Sequence, residues 1–489
     1  MRKISKEARE FCESDKQLFI GNKWVNASDG ADFETVNPAN GSVLCRIQSA
    51  GESDVNAAVD VARNAFQGKM YRMAPAKRAG LLHKLAELLL RDLPVIAEIE
   101  CLDNGKPIDR AIGDVRAAVA HLRYYAGWAD KIEGAHIPVS DPDTMVYTRR
   151  EALGVVGIIV PWNFPLVMAI WKLAPALACG NCCILKPAQQ TSLSALYLAR
   201  LAKEAGFPSG MLQVLTGAGE TGSIIAHHPD IDKVGFTGST AVGKKILAAS
   251  AASNLKKVSL ELGGKSPNII FDDADFASVR ESLVWASFYN SGQECTLGSR
   301  IYVQKGMYDQ VVTQLAEDAG KLTIGPGLGN PNLGPLISTD QLDRVMGYIE
   351  SGRSDAELIS GGNRINGDLS DGYFVEPTIF AAENQSARIV REEIFGPVVT
   401  ISSFTDEDEL IDMANNTRYG LASAIWTQNI SRGHRIAQRL QAGVVWINGY
   451  DLFHPAVPFG GYKESGIGRE MGKSALDLYT QEKAVWVKL

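Results

Sequence analysis

Apolar and polar positions alternate through the middle of the chain in two registers. Short apolar runs at 155–160, 182–185, 212–215, 233–236 and 258–261 predict buried strands. Between them, 194–205, 221–227 and 241–252 carry apolar residues at three- and four-residue spacing and predict helices, the first stopping at Gly206. Another apolar helical pattern, 171–178, precedes the second strand. This rhythm predicts a parallel sheet with helices on both faces, an α/β fold whose ligands bind at the carboxyl ends of the strands. Two longer helical patterns lie nearer the N-terminus, at 53–66 and 75–92. Beyond Gly264 a second α/β run begins, with strands predicted at 268–271, 300–303, 398–404, 424–427 and 444–448 and a helix at 308–321. Residues 325–335, rich in Gly, Pro and Asn, predict a loop, and the Gly263-Gly264 pair is a natural hinge between the two runs. The marginal segments 145–150 and 484–487 are expected to pair with each other or with another subunit. There is no internal repeat and no low-complexity tract.

The chain has 489 residues, too many for one simple core, so at least two domains are expected. Its formal charge of -7 argues against a nucleic-acid partner, which would call for a basic surface. Residues 1–16 are polar and charged, and the most apolar stretch, 154–170, is interrupted by Pro161, Asn163 and Pro165. A cytoplasmic protein with no membrane span is therefore expected. The cysteines, Cys12, Cys45, Cys101, Cys179, Cys182, Cys183 and Cys295, are odd in number and do not resemble a disulfide framework. Cys179-Gly180-Asn181-Cys182 spells C-x-x-C, but no second ligand pair accompanies it. It reads as small residues packing a helix-to-strand turn, with no metal site.

The first segment that suggests chemistry is Gly292-Gln293-Glu294-Cys295-Thr296, a cysteine among polar residues after a glycine. A thiol needs a base, a cation or a helix N-terminus nearby to become reactive. None of the histidines, His83, His121, His136, His227, His228, His434 and His454, lies in a segment that otherwise looks catalytic. That argues against a Cys-His hydrolase and leaves a carboxylate as the candidate base.

The run Gln293-Glu294-Cys295-Thr296-Leu297-Gly298-Ser299-Arg300 resembles the cysteine signature of the aldehyde dehydrogenase superfamily. Glu261-Leu262-Gly263-Gly264-Lys265-Ser266-Pro267 resembles its glutamate signature. Further blocks of the family are Pro161-Trp162-Asn163-Phe164-Pro165, Phe236-Thr237-Gly238-Ser239-Thr240, Glu393-Ile394-Phe395-Gly396-Pro397 and Pro458-Phe459-Gly460-Gly461. They stand in the family's order, and the resemblance covers residues 18–489. It implies a Rossmann-like parallel-sheet cofactor domain (1–133 and 153–263), a second α/β catalytic domain (264–463), and a small β-arm with a C-terminal segment for oligomerisation (134–152 and 464–489). A homodimer or homotetramer follows.

The resemblance also implies roles. Cys295 attacks the carbonyl of a small-molecule aldehyde to give a thiohemiacetal and then a thioester. Asn163 and the Cys295 backbone N–H hold the oxyanion, and losing one such donor costs about 3–4 kcal/mol. Read alone, Asn163 is equally a turn residue. Glu261 is the general base for hydrolysis, although alone it reads as a salt-bridged carboxylate. Glu470 either relays protons to Glu261 or is a helix-surface carboxylate. The cofactor is NAD or NADP. Phe236, Gly238, Ser239 and Val242 run from a strand into a helix N-terminus that attracts the diphosphate, although the usual G-x-G-x-x-G fingerprint is absent. Val160, Pro161, Trp162, Lys186, Gly219, Gly222, Leu262, Gly263, Glu393 and Phe395 complete the expected cofactor site. Gln189 stands where a glutamate often binds the adenosine ribose, so NADP is expected to be tolerated.

Phe164, Met168 and Trp171 share one helix face, which by spacing alone is a core stripe and by the resemblance a tunnel wall. Tyr289, Glu294, Thr296, Phe453 and Phe459 match other wall positions. No arginine occupies the matched positions, so the tunnel is expected to be aromatic and mostly uncharged. It would favour aromatic or medium-chain aliphatic aldehydes such as phenylacetaldehyde. An aromatic box beside Glu294 also admits betaine or amino aldehydes. The alternative from another class is a cysteine esterase that needs no cofactor.

Overall fold

The computed structural model describes residues 3–70 and 72–489. One eight-stranded sheet runs, in spatial order, Gly466–Ile467, Lys257–Glu261, Lys233–Thr237, Val155–Ile159, Cys182–Lys186, Leu212–Val214, Leu18–Ile20, Lys23–Val25. Its central run from Lys257–Glu261 to Leu212–Val214 is parallel, and its edges are antiparallel. From Val155–Ile159 the chain builds outward through Cys182–Lys186 and Leu212–Val214. It then returns to the other side with Lys233–Thr237 and Lys257–Glu261. That reversal is a topological switch point, and the crevice beyond such strand ends is where open α/β sheets bind ligands. Each of these strands falls within a residue or two of the apolar run that predicts it.

The helix Pro165–Ala178 occupies the middle of the core. Proline at its first position loses no helical hydrogen bond. The segment is apolar on all sides, so every residue is buried. Lys172 is the exception in chemistry, and Glu470 neutralises it in a buried ion pair. The C-x-x-C segment is a packed turn, as its small residues predict. Gly180 takes a left-handed conformation (φ 96°). The buried Asn181 side chain accepts from the Leu153 and Gly154 amides (2.8 and 3.0 Å) and donates to the carbonyls of Ala176 and Tyr479 (2.9 and 3.0 Å). Among the described residues no group of side chains is arranged to hold a metal ion, and no helix is long and apolar enough to cross a membrane.

Residues 262–266 carry the chain from the end of the Lys257–Glu261 strand to the start of Pro267–Ile270, in a second, seven-stranded sheet. Its order is Glu357–Ser360, Thr378–Ala381, Val398–Phe404, Arg300–Gln304, Pro267–Ile270, Ala422–Trp426, Val444–Ile447. All are parallel except the edge strand Glu357–Ser360. The carboxyl end of one sheet thus leads directly to the amino end of the other. The predicted loop at 325–335 is irregular apart from a single turn, Gly327–Gly329. Of the two options for the marginal segments, the structure shows the first: Thr480–Lys488 pairs antiparallel with Thr144–Ala152 from Thr480↔Ala152 to Lys488↔Thr144. His136–Ile137 adds a third strand. This sheet is thinly covered, leaving Trp486 66% exposed.

Several helices have no counterpart in the sequence reading, among them Leu93–Asp103, Ile108–Ala126, Phe276–Phe288 and Thr339–Asp355. Replacing Asn181 with alanine removes the side-chain partner of the Leu153 and Gly154 amides and of the Tyr479 carbonyl. N181A should lower stability by about 3 kcal/mol, read as an earlier midpoint in urea unfolding.

Candidate active site

Between the helix Phe276–Phe288 and the strand Arg300–Gln304 the backbone takes three successive left-handed residues, Asn290 (φ 48°), Ser291 (φ 56°) and Gly292 (φ 72°). Side-chain bonds hold the turn. Ser291 Oγ donates to the Gly334 carbonyl (2.8 Å), and Asn290 Nδ2 donates to the carbonyls of Asn163 and Gln293 (3.2 and 3.3 Å). Gly292 admits no side chain, because a Cβ would stand 1.9 Å from the Gly396 carbonyl oxygen. The buried Gln293 side chain accepts from the Ile337 amide (2.9 Å) and donates to the carbonyls of Asn290 and Pro335 (3.2 and 3.3 Å). The result is a tightly specified loop that presents Cys295.

On the facing side the strand Lys257–Glu261 ends at Glu261, whose Oε2 lies 4.0 Å from Cys295 Sγ. A Cβ at Gly264 would be 2.3 Å from the Cys295 carbonyl oxygen, so this glycine allows the two backbones to meet. Cys295 is half-buried, while the other cysteines are fully buried. Burial pushes its thiol well above the usual range, and the neighbouring carboxyls of Glu261, Glu294, Glu393 and Asp451 push it further. Burial likewise drives Glu261 well above an ordinary carboxyl. The nearby Glu470 adds to this, and Lys172 opposes it. Oε1 of Glu261 is buried without a partner.

Asn163 sits in the Val160–Pro165 turn after the strand at the switch point. Its Nδ2 donates to the Gln293 carbonyl at 3.0 Å, which uses one of its two N–H groups. The other remains for a ligand. The preceding Trp162 carbonyl is fixed by Asn104 Nδ2 at 2.7 Å.

One cavity of about 1200 Å³ contains Cys295, Glu261 and Asn163. A single drug-sized ligand occupies roughly 300–1,000 Å³, so the space suits two ligands meeting at the thiol. One arm passes Pro161, Trp162, Thr237, Gly238, Ser239, Leu262, Gly263, Glu393 and Phe395. Ser239 caps the helix Thr240–Ala252, whose N-terminus opens on this arm, and Thr237 Oγ1 is a buried hydroxyl with no partner. Glu393 accepts from the Gly264 amide at 3.0 Å, and burial raises its carboxyl to about 7. Phe395 has a left-handed backbone (φ 63°) and packs edge-on to Trp162. A helix N-terminus, an orphaned hydroxyl and a long open cleft at the switch point fit a dinucleotide.

The other arm is walled by Phe164, Met168, Trp171, Tyr289, Glu294, Thr296, Phe453 and Phe459. Phe164 stacks with Tyr289 at 6.3 Å, and Trp171, Phe453 and Phe459 form a ring cluster. The carboxyls of Glu294 and Asp451 lie side by side. Both are raised by burial, Asp451 to about 7, and Thr296 Oγ1 donates to Asp451 at 3.1 Å.

The tunnel is not mostly uncharged: Arg110, Asp114, Arg123, Glu281 and Asp451 also line the cavity. Arg110 lies over the rings of Trp285 and Tyr289, at 4.7 and 4.9 Å. His121 and His454, neither in a segment that reads as catalytic, are also on the wall. Arg110, Asp114, Ala117, His121 and Tyr124 recur at helical spacing along Ile108–Ala126 and face the cavity, a stripe the sequence reading passed over. Glu470 is not a helix-surface group. It is buried, bonded to Lys172 and bridged to Phe459, and does not line the cavity. Val160, Lys186, Gln189, Gly219, Gly222, Phe236 and Val242 also stand off the cavity wall. Lys186 and Gly222 face each other, and Phe236 packs under Gly238. Val242 is exposed in the first turn of its helix, and Gln189 is half-buried just past the strand Cys182–Lys186.

Comparisons with known proteins agree with this geometry. The model of the aldehyde dehydrogenase family matches residues 24–485. An aldehyde dehydrogenase of Emericella nidulans is 49% identical over 96% of this chain and 95% of its own length. The NAD+ complex of a Bacillus cereus aldehyde dehydrogenase superposes with a TM-score of 0.97 at 48% identity, covering 100% of this chain and 99% of that one. A betaine aldehyde dehydrogenase of Staphylococcus aureus superposes at 0.96 with 36% identity, covering 100% and 97%.

The raised thiol has a direct consequence. Iodoacetamide should label Cys295 alone among the cysteines of the folded protein, at a rate that climbs through pH 9 as thiolate forms. Peptide mapping of a pH series checks this, and a plateau below pH 8 would contradict it.

Proposed function

The chain belongs to the aldehyde dehydrogenase family and is an oxidoreductase, and from that premise we propose that it oxidises aromatic or medium-chain aliphatic aldehydes to carboxylic acids with NAD+ or NADP+. The observation that carries the reading is one cavity with the Cys295 thiol, the Glu261 carboxylate and the free Asn163 N–H at the junction of its two arms. Cys295 adds to the aldehyde carbonyl. Its proton has a ready acceptor in Glu261, which holds a proton more readily than an exposed carboxylate does. The oxyanion that develops is met by Asn163 Nδ2 and the Cys295 amide, preset donors in a water-poor pocket. Gly238, Ser239, Leu262, Gly263, Glu393 and Phe395 would hold a nicotinamide dinucleotide in the other arm, and that group would supply the hydride acceptor. Once it has lost the thiol proton to solvent, Glu261 draws a proton from a water, whose oxygen attacks the Cys295 thioester and releases the acid. Glu470 and Lys172 sit behind Glu261 and offer it a route for protons.

Gln189 bears no negative charge to repel a 2′-phosphate, which supports use of both cofactors. On this reading residues 1–133 and 153–263 form the dinucleotide-binding domain and 264–463 the catalytic domain. The segments 134–152 and 464–489 serve oligomerisation, the exposed Trp486 marking the surface of a homodimer or homotetramer. The Glu294 and Asp451 carboxyls stand on the cavity wall among aromatic rings, which supports a second reading, a cationic betaine or amino aldehyde that would help to ionise them.

Steady-state assays with phenylacetaldehyde, hexanal, betaine aldehyde and succinic semialdehyde, each with NAD+ and NADP+, test the proposal. The expected order places phenylacetaldehyde or hexanal first, with comparable kcat/KM for the two cofactors. Betaine aldehyde in first place would establish the second reading, and a strong preference for NAD+ would refute the role given to Gln189.

A further inference from the structure

The cavity opens where Arg123 and Glu281, both exposed, stand on its rim. Arg110, in the first turn of the helix Ile108–Ala126, also lines it and is half-buried. Two wall rings clamp its guanidinium, whose carbon lies 4.7 Å from the Trp285 ring and 4.9 Å from the Tyr289 ring. Among the described residues no oxygen accepts a hydrogen bond from this guanidinium, and no carboxylate forms an ion pair with it. None of its nitrogens is a buried orphan, so the unpaired N–H groups are open at the rim. The acid one helical turn away, Asp114, is bonded to Lys106 and is committed there.

A ring-clamped guanidinium holds its fork in one plane, ready for the two oxygens of a carboxylate. Stacking has already ordered the side chain, so less freedom is lost on binding. The distances set the length of the ligand. Tyr289 stacks on Phe164 at 6.3 Å, and Phe164 follows Asn163, which meets the oxyanion in the proposed reaction. The guanidinium therefore stands two rings away from the reacting end. An extended chain advances about 1.2 Å per bond, so a chain of about six to ten carbons bridges the gap and succinic semialdehyde is too short. Acids on the same wall limit the charge that fits. Burial pushes up the carboxyls of Glu294 and Asp451, the latter to about 7, which weakens their charge at neutral pH. Glu281 is exposed and screened by solvent. A single free cation in such company suits a single negative charge, a carboxylate rather than a phosphate dianion. We propose that Arg110 is a specificity residue that selects medium-chain aldehydes ending in a carboxylate, ω-oxo acids whose methylenes lie along the Tyr289 and Phe164 rings. The claim rests on the aldehyde-oxidising function proposed above and names the substrate class within it.

Binding is read first, without turnover. Calorimetry compares 8-hydroxyoctanoate with 1-octanol, neither of which offers Cys295 an aldehyde. Wild type should bind the hydroxy acid about tenfold more tightly. In R110Q that preference should fall to near one, and in wild type it should shrink as salt is raised. Equal affinities in wild type, an unchanged preference in R110Q, or a preference indifferent to salt overturns the subsite. The salt series needs no variant, so a misfolded R110Q does not shield the claim. Turnover of 8-oxooctanoate, octanal and succinic semialdehyde is followed in parallel. Wild type should favour 8-oxooctanoate in kcat/KM, and R110Q should lose that lead while oxidising octanal as wild type does. Octanal oxidised as well as 8-oxooctanoate by wild type sinks the subsite alone. Selective binding without any oxidation sinks the proposed function and leaves the subsite standing.

Discussion

The Cys295 carbonyl oxygen presses so close to Gly264 that a methyl group there would lie 2.3 Å away, and the two sheets are tied together at this contact. One backbone leaves the first sheet at Glu261. The other arrives from the left-handed turn at Asn290, Ser291 and Gly292 before entering the second sheet at Arg300. Because neither has a side chain in the way, the carboxylate at a strand end and the thiol in a loop come within 4.0 Å. The rest of the cavity follows from that meeting. The switch point supplies the Asn163 turn and the open helix N-terminus on one side. The buried Pro165–Ala178 helix supplies the aromatic wall on the other.

The electrostatics of this junction run against a resting thiolate. Glu261, Glu294, Glu393 and Asp451 all raise the Cys295 thiol. Such surroundings keep the Cys295 thiol protonated. The same burial that raises the thiol also raises Glu261. Lys172, ion-paired with Glu470, opposes the rise at Glu261.

Much of the frame was legible because buried parallel strands are short and uniformly apolar, as in Val155–Ile159 and Lys233–Thr237. The helix Ile108–Ala126 shows what is harder to read. It carries a core stripe that includes Ile108, Ala111, Val115, Ala118, Leu122 and Tyr125. A second stripe, Arg110, Asp114, Ala117, His121 and Tyr124, looks like an ordinary solvent face until the fold turns it onto the cavity. A polar residue facing water and one facing an enclosed site leave the same trace in a sequence. The pairing of Glu294 with Asp451 was hidden for a different reason: it joins positions far apart in the chain, and no local pattern announces it.

The central claim is that Cys295 carries the acyl group and Glu261 sends water to release it. Intact-protein and peptide mass spectrometry of the E261Q variant, quenched after mixing with phenylacetaldehyde and NAD+, tests this most directly. The account predicts an adduct on Cys295 with the mass of the aldehyde less two hydrogens, the signature of a trapped thioester. Unmodified protein alongside continued acid formation, or an acyl group on any other residue, would contradict it.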